Sequence, residues 1–243
     1  MAEIKYKKYK KDNEYSYTLG PFPTFEMLEG APENAVEVFA DEKFNEIDKL
    51  KAKCGELGVP FSVSRKAIER IADKDICYAA GVFRKFTSAL DDAKPHVVLN
   101  NPSDMGNMGT ILRTLLGFGI KNLAVITPAA DIFNPKVIRA SMGAMFKMNF
   151  ELFESFDDYR GKYGKDRDIF PFMLDGKKVL SLENCPKSKK YCLVFGNEAK
   201  GLPPEFADYG TSIFIPQSED VDSLNLAVSV AVGSFIFGSV NKE

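Results

Sequence analysis

Hydrophobic and polar residues follow two different periods along the chain, and from residue 95 onwards the two periods take turns. Helical spacing of apolar side chains predicts helices over residues 107–118 and 135–146, and residues 155–163 predict a more polar helix. Short apolar runs predict strands at residues 96–99, 122–126, 149–152, 169–174, 191–195 and 213–215. This alternation is typical of an α/β fold with a mostly parallel sheet and helices on both faces.

The longest apolar segment covers residues 224–240 and contains no charged side chain. Such a segment predicts a helix that is buried on nearly all sides or that spans a membrane. Seventeen residues that include glycines, serines and an asparagine are slightly short for a span, so we prefer the buried helix. Ser223 is its predicted N-cap, which leaves Asn225 inside the first turn.

The first ninety residues predict a smaller α/β unit. Strands are expected at residues 35–39, 60–63 and 81–83, with helices over residues 45–57 and after Ser64. The polar, proline-ended stretch that follows predicts a linker. We therefore expect an N-terminal arm (residues 1–16), a small α/β domain (17–88), a linker (89–94) and a larger domain (95–243).

Composition changes this picture little. Apolar residues make up 45% of the chain and the net charge is −2, so a polyanionic partner would have to bind to local basic patches. One such patch lies in the N-terminal arm, where Tyr6 and Tyr9 alternate with lysines: Lys5, Lys7, Lys8, Lys10 and Lys11. Lysines for phosphates and tyrosines for base stacking indicate an RNA-binding arm. A solvated, frayed terminus is the alternative.

The cysteines and the N-terminus point to a cytoplasmic protein without a metal. The four cysteines lack CxxC spacing and the chain has a single histidine, so no zinc site is expected and the thiols are expected to be reduced. No apolar segment of the kind that directs secretion follows the first residues.

Three loops follow predicted strands and carry an unusual set of polar residues. The first, NNPSDMGNMGTILR, contains Asn107 and leads to Arg113 on nearly the same side of a helix. The second, LVFGNEAKGLP, contains Gly196, Asn197 and Glu198, and the third holds Pro216, Ser223 and Asn225. Ligands of parallel sheets bind at this end of the strands. Ordinary turns with a surface arginine and a solvated glutamate remain open as the alternative, and neither a G-x-G-x-x-G motif nor a P-loop is present.

Taken together, the three loops resemble the three motifs of the SpoU (TrmH-like) RNA ribose 2′-O-methyltransferases of the SPOUT class. Asn107, Gly109 and Arg113 resemble the first motif, LVFGNEAKGLP the second and IPQSEDVDSLNLAVSVA the third. The run Arg139-Ala140-Ser141-Met142-Gly143-Ala144 resembles the segment between motifs. The resemblance covers about residues 95–237, and the preceding unit resembles the small substrate-binding domain of many members.

The resemblance implies a domain with a trefoil knot that binds S-adenosyl-L-methionine and forms a homodimer. Five residues are implied to bind the cofactor: Gly196, Asn197, Ile215, Pro216 and Leu224. An apolar cleft with main-chain donors and acceptors suits an adenine. The knot and the dimer would cover the apolar C-terminal helix, and no membrane is implied.

The resemblance also implies a catalytic set formed by Arg113, Asn107, Glu198, Ser223 and Asn225. Family accounts give Arg113 the role of base, but an arginine is nearly always protonated, so we expect it first to position phosphate and hydroxyl groups. Glu198 is expected to hold Asn107 or Arg113. RNA contacts are expected from Lys7, Lys8, Lys10, Lys11 and Arg139.

The substrate implied is structured RNA, with ribosomal RNA favoured over transfer RNA by the N-terminal domain. The alternative is a catalytically inactive RNA-binding relative with the same fold. Ala199 stands where the family often has glycine. The acidic loop at residues 218–222 faces a polyanionic substrate awkwardly.

Overall fold

The computed structural model describes residues 6–72 and 77–241. The helices are α1 (Pro21–Gly30), α2 (Ile47–Leu57), α3 (Arg65–Ile71), α4 (Met105–Gly117), α5 (Pro135–Ala140), α6 (Phe156–Tyr163) and α7 (Leu226–Val240). The strands are β1 (Tyr15–Leu19), β2 (Ala35–Ala40), β3 (Phe61–Val63), β4 (Ala79–Arg84), β5 (His96–Asn100), β6 (Asn122–Ile126), β7 (Asn149–Phe153), β8 (Asp168–Pro171), β9 (Lys178–Val179), β10 (Tyr191–Phe195) and β11 (Ile213–Phe214).

Contacts divide the chain into two compact units. The N-terminal unit comprises the chain up to Phe86 together with Asp131–Lys147, and the C-terminal unit comprises Thr87–Ala130 and the chain from Met148 onwards. The sequence pattern predicted that residues 131–147 would lie within the larger domain. The predicted domain limits as a whole stay a prediction.

The C-terminal unit contains the parallel sheet that the sequence predicted. Its strand order is β7-β6-β5-β10-β8, and each neighbouring pair is parallel. Alternate residues of strand β10, which lies between β5 and β8, pack on opposite faces, because successive side chains of a strand point in opposite directions. Cys192 lies in the cluster that contains Tyr159 of α6, whereas the ring of Tyr191 lies 5.3 Å from that of Phe237 on α7. Helices therefore cover both faces of the sheet.

The N-terminal unit has a four-stranded sheet in the order β1-β4-β2-β3. The β1/β4 and β2/β4 pairs are antiparallel and the β2/β3 pair is parallel. Strand β1 was not predicted from the sequence. Its alternation is hidden because Ser16 and Thr18 are buried and hydrogen-bonded, Ser16 to the Phe133 carbonyl and Thr18 to Thr24.

The predicted helix over residues 135–146 is wrong in its second half. Helix α5 ends at Ala140, and Met142 and Gly143 then adopt positive φ angles of 53° and 77°. Two successive left-handed residues cannot continue a right-handed helix. The space at Gly143 is also restricted, because a Cβ there would lie 2.6 Å from Cβ of Glu26 on α1.

The predicted start of the C-terminal helix is also wrong. Asn225, not Ser223, is the N-cap of α7, because its Oδ1 accepts hydrogen bonds from the backbone N–H groups of Ala227 and Val228. The asparagine that looked misplaced inside a first turn therefore satisfies the end of the helix. In the part of the chain that the structure describes, no helix combines the length and hydropathy needed to cross a membrane.

Candidate active site

The three polar loops of the sequence meet in one hydrogen-bonded network in the C-terminal unit. The first loop binds the carboxylate of Glu198 directly, and the third is joined to it through Asn107. Oε2 of Glu198 accepts hydrogen bonds from the backbone N–H of Ser103 (2.9 Å) and from the Ser103 hydroxyl (2.8 Å). Its Oε1 accepts from the backbone N–H of Asp104 (3.0 Å) and from Nδ2 of Asn107 (3.2 Å). The loop after β10 is thereby bound to the loop between β5 and α4.

These contacts hold Glu198 in its charged form. Partial burial on its own raises the pKa of this carboxyl. Hydrogen bonds from the backbone of Ser103, Asp104 and Glu198 itself, and from the Ser103 hydroxyl, outweigh that effect and lower the pKa to about 2. A carboxylate with so low a pKa, whose oxygens already accept hydrogen bonds from Ser103, Asp104, Asn107 and Asn197, is a weak proton acceptor.

The amide of Asn107 links Glu198 to the start of α7. Because the carboxylate can only accept, Asn107 must turn its Nδ2 towards Glu198 and its Oδ1 away. That Oδ1 accepts a hydrogen bond from Nδ2 of Asn225 (2.9 Å), whose own Oδ1 caps α7. The orientations of both amides are therefore fixed by one anion and one helix terminus.

The turn from Asn197 to Gly201 is built from its own backbone and the Asn197 side chain. Oδ1 of Asn197 accepts from the backbone N–H groups of Ala199 and Lys200, and its Nδ2 donates to the Asn101 carbonyl (2.8 Å). Gly196 has no room for a side chain, since a Cβ there would lie 2.1 Å from the carbonyl carbon of Gly201. Ala199 needs no glycine, because only Gly201 in this turn has a positive φ.

A cavity of about 290 Å³ lies beside this cluster. The stacked rings of Phe172 and Phe195, with centroids 4.3 Å apart, form part of its wall. Of the residues implied to bind a cofactor or to take part in catalysis, six line it: Gly196, Asn197, Glu198, Ile215, Ser223 and Leu224. Pro216 does not line it. Its volume is at the small end of the range of about 300–1,000 Å³ for small-molecule sites.

Arg113 is not held by this cluster. Six residues of helix correspond to a rotation of about 240°, so Arg113 and Asn107 lie on different faces of α4. The sequence prediction that they share nearly the same side is wrong. Its side chain is exposed and has no hydrogen-bond or ion-pair partner among the described residues. Of the two partners proposed for Glu198, the structure brings Asn107 to it and not Arg113.

The residues expected to bind RNA belong to the N-terminal unit by their contacts. Lys7, Lys8, Lys10, Lys11 and Arg139 are exposed, and Lys5 lies outside the described residues. The tyrosines of the basic arm both have partners within the N-terminal unit. The Tyr6 ring packs edge-on against Tyr15, and the Tyr9 hydroxyl donates to the carboxylate of Asp131. The described part of the arm is therefore packed rather than frayed.

Two residues of the cluster were missed in the sequence. Ser103 donates twice to Glu198, and Asp104 caps α4 by accepting from the backbone N–H of Asn107 (2.7 Å). A Ser-Asp pair just before a helix is an N-cap signal that could have found them. Among the described residues, no group of acidic, histidine or cysteine side chains is placed to hold a metal ion.

Comparison with known proteins identifies the family. The sequence model of the SpoU rRNA Methylase family matches residues 94–235, which is more than half of the chain. The chain belongs to this family. The SpoU resemblance predicted from the three loops is thus confirmed, and the N-terminal unit lies largely outside the matched residues.

Two curated SpoU relatives and one solved structure give the range of similarity. A 23S rRNA (adenosine(1067)-2′-O)-methyltransferase from Streptomyces laurentii is 29% identical over 63% of this chain and 56% of its own length. A putative RNA (cytidine(34)-2′-O)-methyltransferase from Lactobacillus gasseri is 30% identical over 56% of this chain and 76% of its own length. Several curated relatives are matched over only about half of their length.

The SpoU methyltransferase AviRb from Streptomyces viridochromogenes, in complex with the cofactor AdoMet, has a similar fold. The TM-score is 0.78 and the identity 18%, over 93% of this chain and 90% of that chain. This similarity supports the α/β fold with a parallel sheet.

Proposed function

We propose that the chain methylates a ribose 2′-hydroxyl of structured RNA with S-adenosyl-L-methionine as the methyl donor. The observation that carries the proposal is a hydrogen-bonded network in which Asn107 joins Glu198 to Asn225, so that all three family motifs meet beside a cavity lined by six of the implied site residues. The names of the curated relatives support the same reaction class.

The cavity fits the cofactor by the chemistry of its walls. Phe172, Phe195 and Ile213 supply apolar surface for an adenine, and the loops at Gly196 and Leu224 supply main-chain donors and acceptors. S-adenosyl-L-methionine would supply a methyl group from its sulfonium sulfur, which would be left as a thioether, while the 2′-oxygen would gain that methyl and lose its proton. The residues of this chain have to hold the hydroxyl close to the methyl group and guide the proton.

Glu198 serves as an organiser in this proposal and not as the base. Its low pKa makes proton transfer to it unfavourable at neutral pH, while its charge fixes the amides of Asn107 and Asn225. Asn107 and Ser223 then orient the target nucleotide and the cofactor loop.

Arg113 positions the RNA, because it is exposed and no described residue occupies its guanidinium. A guanidinium binds phosphate through two parallel hydrogen bonds and keeps its proton near pH 7. The proton of the 2′-hydroxyl passes to a phosphate oxygen of the RNA or to water, with the arginine stabilising the developing negative charge.

The favoured substrate is ribosomal RNA, with transfer RNA as the second choice. The family description and the Streptomyces laurentii relative support the first, and the Lactobacillus gasseri relative concerns an RNA cytidine at position 34. Lys7, Lys8, Lys10, Lys11 and Arg139 of the N-terminal unit bind RNA phosphates in this proposal. The proposal offers no physical explanation for the negative charge of the loop at residues 218–222.

The proposal includes a trefoil knot, a homodimer and a cytoplasmic site of action. The dimer would cover an apolar patch formed by Phe118 at the end of α4 and by Val228 and Phe235 on α7, each about half exposed. The rings of Phe118 and Phe235 lie 5.9 Å apart, so the patch is continuous across the two helices.

The test is Arg113→Ala, assayed with tritiated cofactor on total RNA from a deletion strain. We expect methyl transfer to fall at least a hundredfold, because the arginine acts on the reacting groups. Cofactor affinity by calorimetry and the melting temperature should stay at wild-type values, because Arg113 has no hydrogen-bond or ion-pair partner among the described residues.

Arg113→Lys is the matched variant, since it keeps the charge and loses the two-pronged geometry. We expect it to recover only part of the activity. Normal turnover by Arg113→Ala would overturn the role of Arg113. A wild-type protein that binds cofactor and RNA but transfers no methyl group to any RNA would instead support the inactive relative.

A further inference from the structure

A second cavity, of about 660 Å³, lies where the central strands β5, β6 and β10 of the C-terminal unit end. The chain proceeds from β5 outwards to β6 and β7 on one side, while β10 and β8 lie on the other. The cavity therefore lies at the point where the strand order reverses, which is where open parallel sheets bind ligands. Its walls combine prolines with the asparagines Asn100, Asn101 and Asn197.

Asn100 is the polar group that the fold leaves without a partner in this cavity. The residue is only 8% exposed, yet its side chain has no hydrogen-bond partner among the described residues. Its amide is not sealed inside the protein, since it lines the cavity. The two neighbouring asparagines are occupied, because Nδ2 of Asn101 donates to the Pro128 carbonyl (3.3 Å) and Nδ2 of Asn197 to the Asn101 carbonyl.

This largely buried amide has no partner among the described residues and faces the cavity, so it is available to a ligand there. A bound ligand that offers both an acceptor and a donor would satisfy the Asn100 amide. The edge of a nucleobase presents such a pair, and asparagine forms two hydrogen bonds with it in known complexes.

The two cavities meet at the Glu198 cluster. Asn197, Lys200, Gly201 and Leu202 line both of them. Ser103 lines the second cavity and donates to Glu198, which lines the first. A nucleotide whose ribose lies at Glu198, with the cofactor in the first cavity, would direct its base into the second.

We propose that the second cavity receives the base of the nucleotide whose ribose is methylated, with the Asn100 amide hydrogen-bonded to the edge of that base. This inference rests on the proposed function. The base leaves its stack to enter the cavity, as other enzymes that act on single nucleotides require. Lys200, exposed and without a carboxylate partner among the described residues, lies at the same wall and attracts the adjoining phosphate.

The test uses an RNA fragment that contains the mapped methylation site and a second fragment that lacks only the base of the target nucleotide. Loss of the base should lower kcat/KM of the wild type about tenfold or more, since a two-bond contact of this kind discriminates by about 1–3 kcal/mol. Asn100→Leu should lose a similar factor on the intact RNA and nothing further on the abasic RNA. Two losses that multiply would show that Asn100 does not contact the base.

Asn100→Asp gives a second, size-conserving test, because it replaces the donor with an acceptor. On four RNAs that differ only in the target base, we expect it to change the order of kcat/KM. Asn184→Asp is the matched control, since it introduces the same charge at an exposed position that lines neither cavity, and it should keep the wild-type order. Melting temperatures report whether each variant folds. If Asn100→Leu does not fold, the result with Asn100→Asp decides whether Asn100 contacts the base.

The outcomes also separate this inference from the function on which it rests. A wild-type protein that methylates the fragment while Asn100→Asp keeps the wild-type base order contradicts the base pocket alone. A wild-type protein that neither binds cofactor nor methylates any RNA contradicts both proposals.

Discussion

Glu198 and Arg113 show two ways in which this unit holds a charged side chain. Glu198 accepts hydrogen bonds from four residues of one cluster, whereas Arg113 extends from α4 without a polar partner among the described residues. A charged side chain that accepts several hydrogen bonds, such as Glu198, is held in one position, and those bonds shift its pKa. A charged side chain without such partners, such as Arg113, remains available to bind a ligand. The two residues therefore have different roles in the proposed reaction.

His96, the single histidine, predicts how stability depends on pH. It is fully buried in β5, with Nε2 donating to the Asp91 carbonyl (2.9 Å) and Nδ1 accepting from the Tyr159 hydroxyl (3.0 Å). Burial, helped by the nearby charge of Arg167, lowers the pKa of His96 from 6.5 to about 4.

Between those two values the unfolded chain binds a proton that the folded protein does not, so stability falls as the pH drops below about 6.5. We expect the free energy of unfolding in urea to be about 2 kcal/mol lower at pH 5 than at pH 7 from this residue alone. His96→Gln should remove that part of the difference. An unchanged pH dependence in the variant would contradict the origin of the effect.

At the residue scale, the sequence predicted most members of the site and few of their bonds. Asn107, Glu198 and Asn225 were found because the motifs mark them. The sequence did not predict that Arg113 would lie outside the cluster, because the spacing of residues along a helix does not show which other elements they contact. Asn100 was overlooked because it ends an apolar strand, where a polar residue looks like the first residue of a turn.

At the scale of the element, Asn225 joins the start of α7 to the site. Asn225→Asp should keep the cap, since aspartate is as good an N-cap as asparagine, but it loses the hydrogen bond to Asn107. We expect a melting temperature close to wild type and methyl transfer lowered about tenfold or more. Asn225→Ala loses both contacts and should also cost about 1 kcal/mol of stability in denaturant unfolding.

The pair of variants separates the two roles. Equal activity of Asn225→Asp and the wild type would mean that the bond to Asn107 has no part in the reaction. The sequence predicted α7 as an apolar helix correctly but placed its start two residues early. Ser, Asp and Asn are all good caps, and residues 218–225 offer several of them, so only the backbone can select one.

At the scale of the whole molecule, the proposed dimer predicts the effect of a charge on the exposed patch. Phe235→Asp should convert the protein to a monomer of about 27 kDa in light scattering after gel filtration, because a buried unpaired carboxylate opposes association. Leu152→Asp is the matched control, since Leu152 is similarly exposed but lies on edge strand β7. A wild-type protein that is already monomeric would contradict the proposed dimer.

The largest feature that the sequence does not reveal is the return of residues 131–147 to the N-terminal unit. Ser16 donates to the Phe133 carbonyl, and the Phe146 ring lies 5.0 Å from Phe83. Hydrophobic periodicity describes each element by itself, so it assigns consecutive elements to one domain. Only long-range contacts can show that the chain leaves a unit and comes back.

The double use of Asn225 has a consequence for reading related genomes. A related protein that no longer methylates RNA would still need an N-cap for α7, so we expect mutations to replace Asn225 slowly. Arg113 has no structural duty among the described residues, and drift would erase it first. The presence of Arg113 therefore distinguishes active methyltransferases from catalytically inactive relatives better than the presence of Asn225 does.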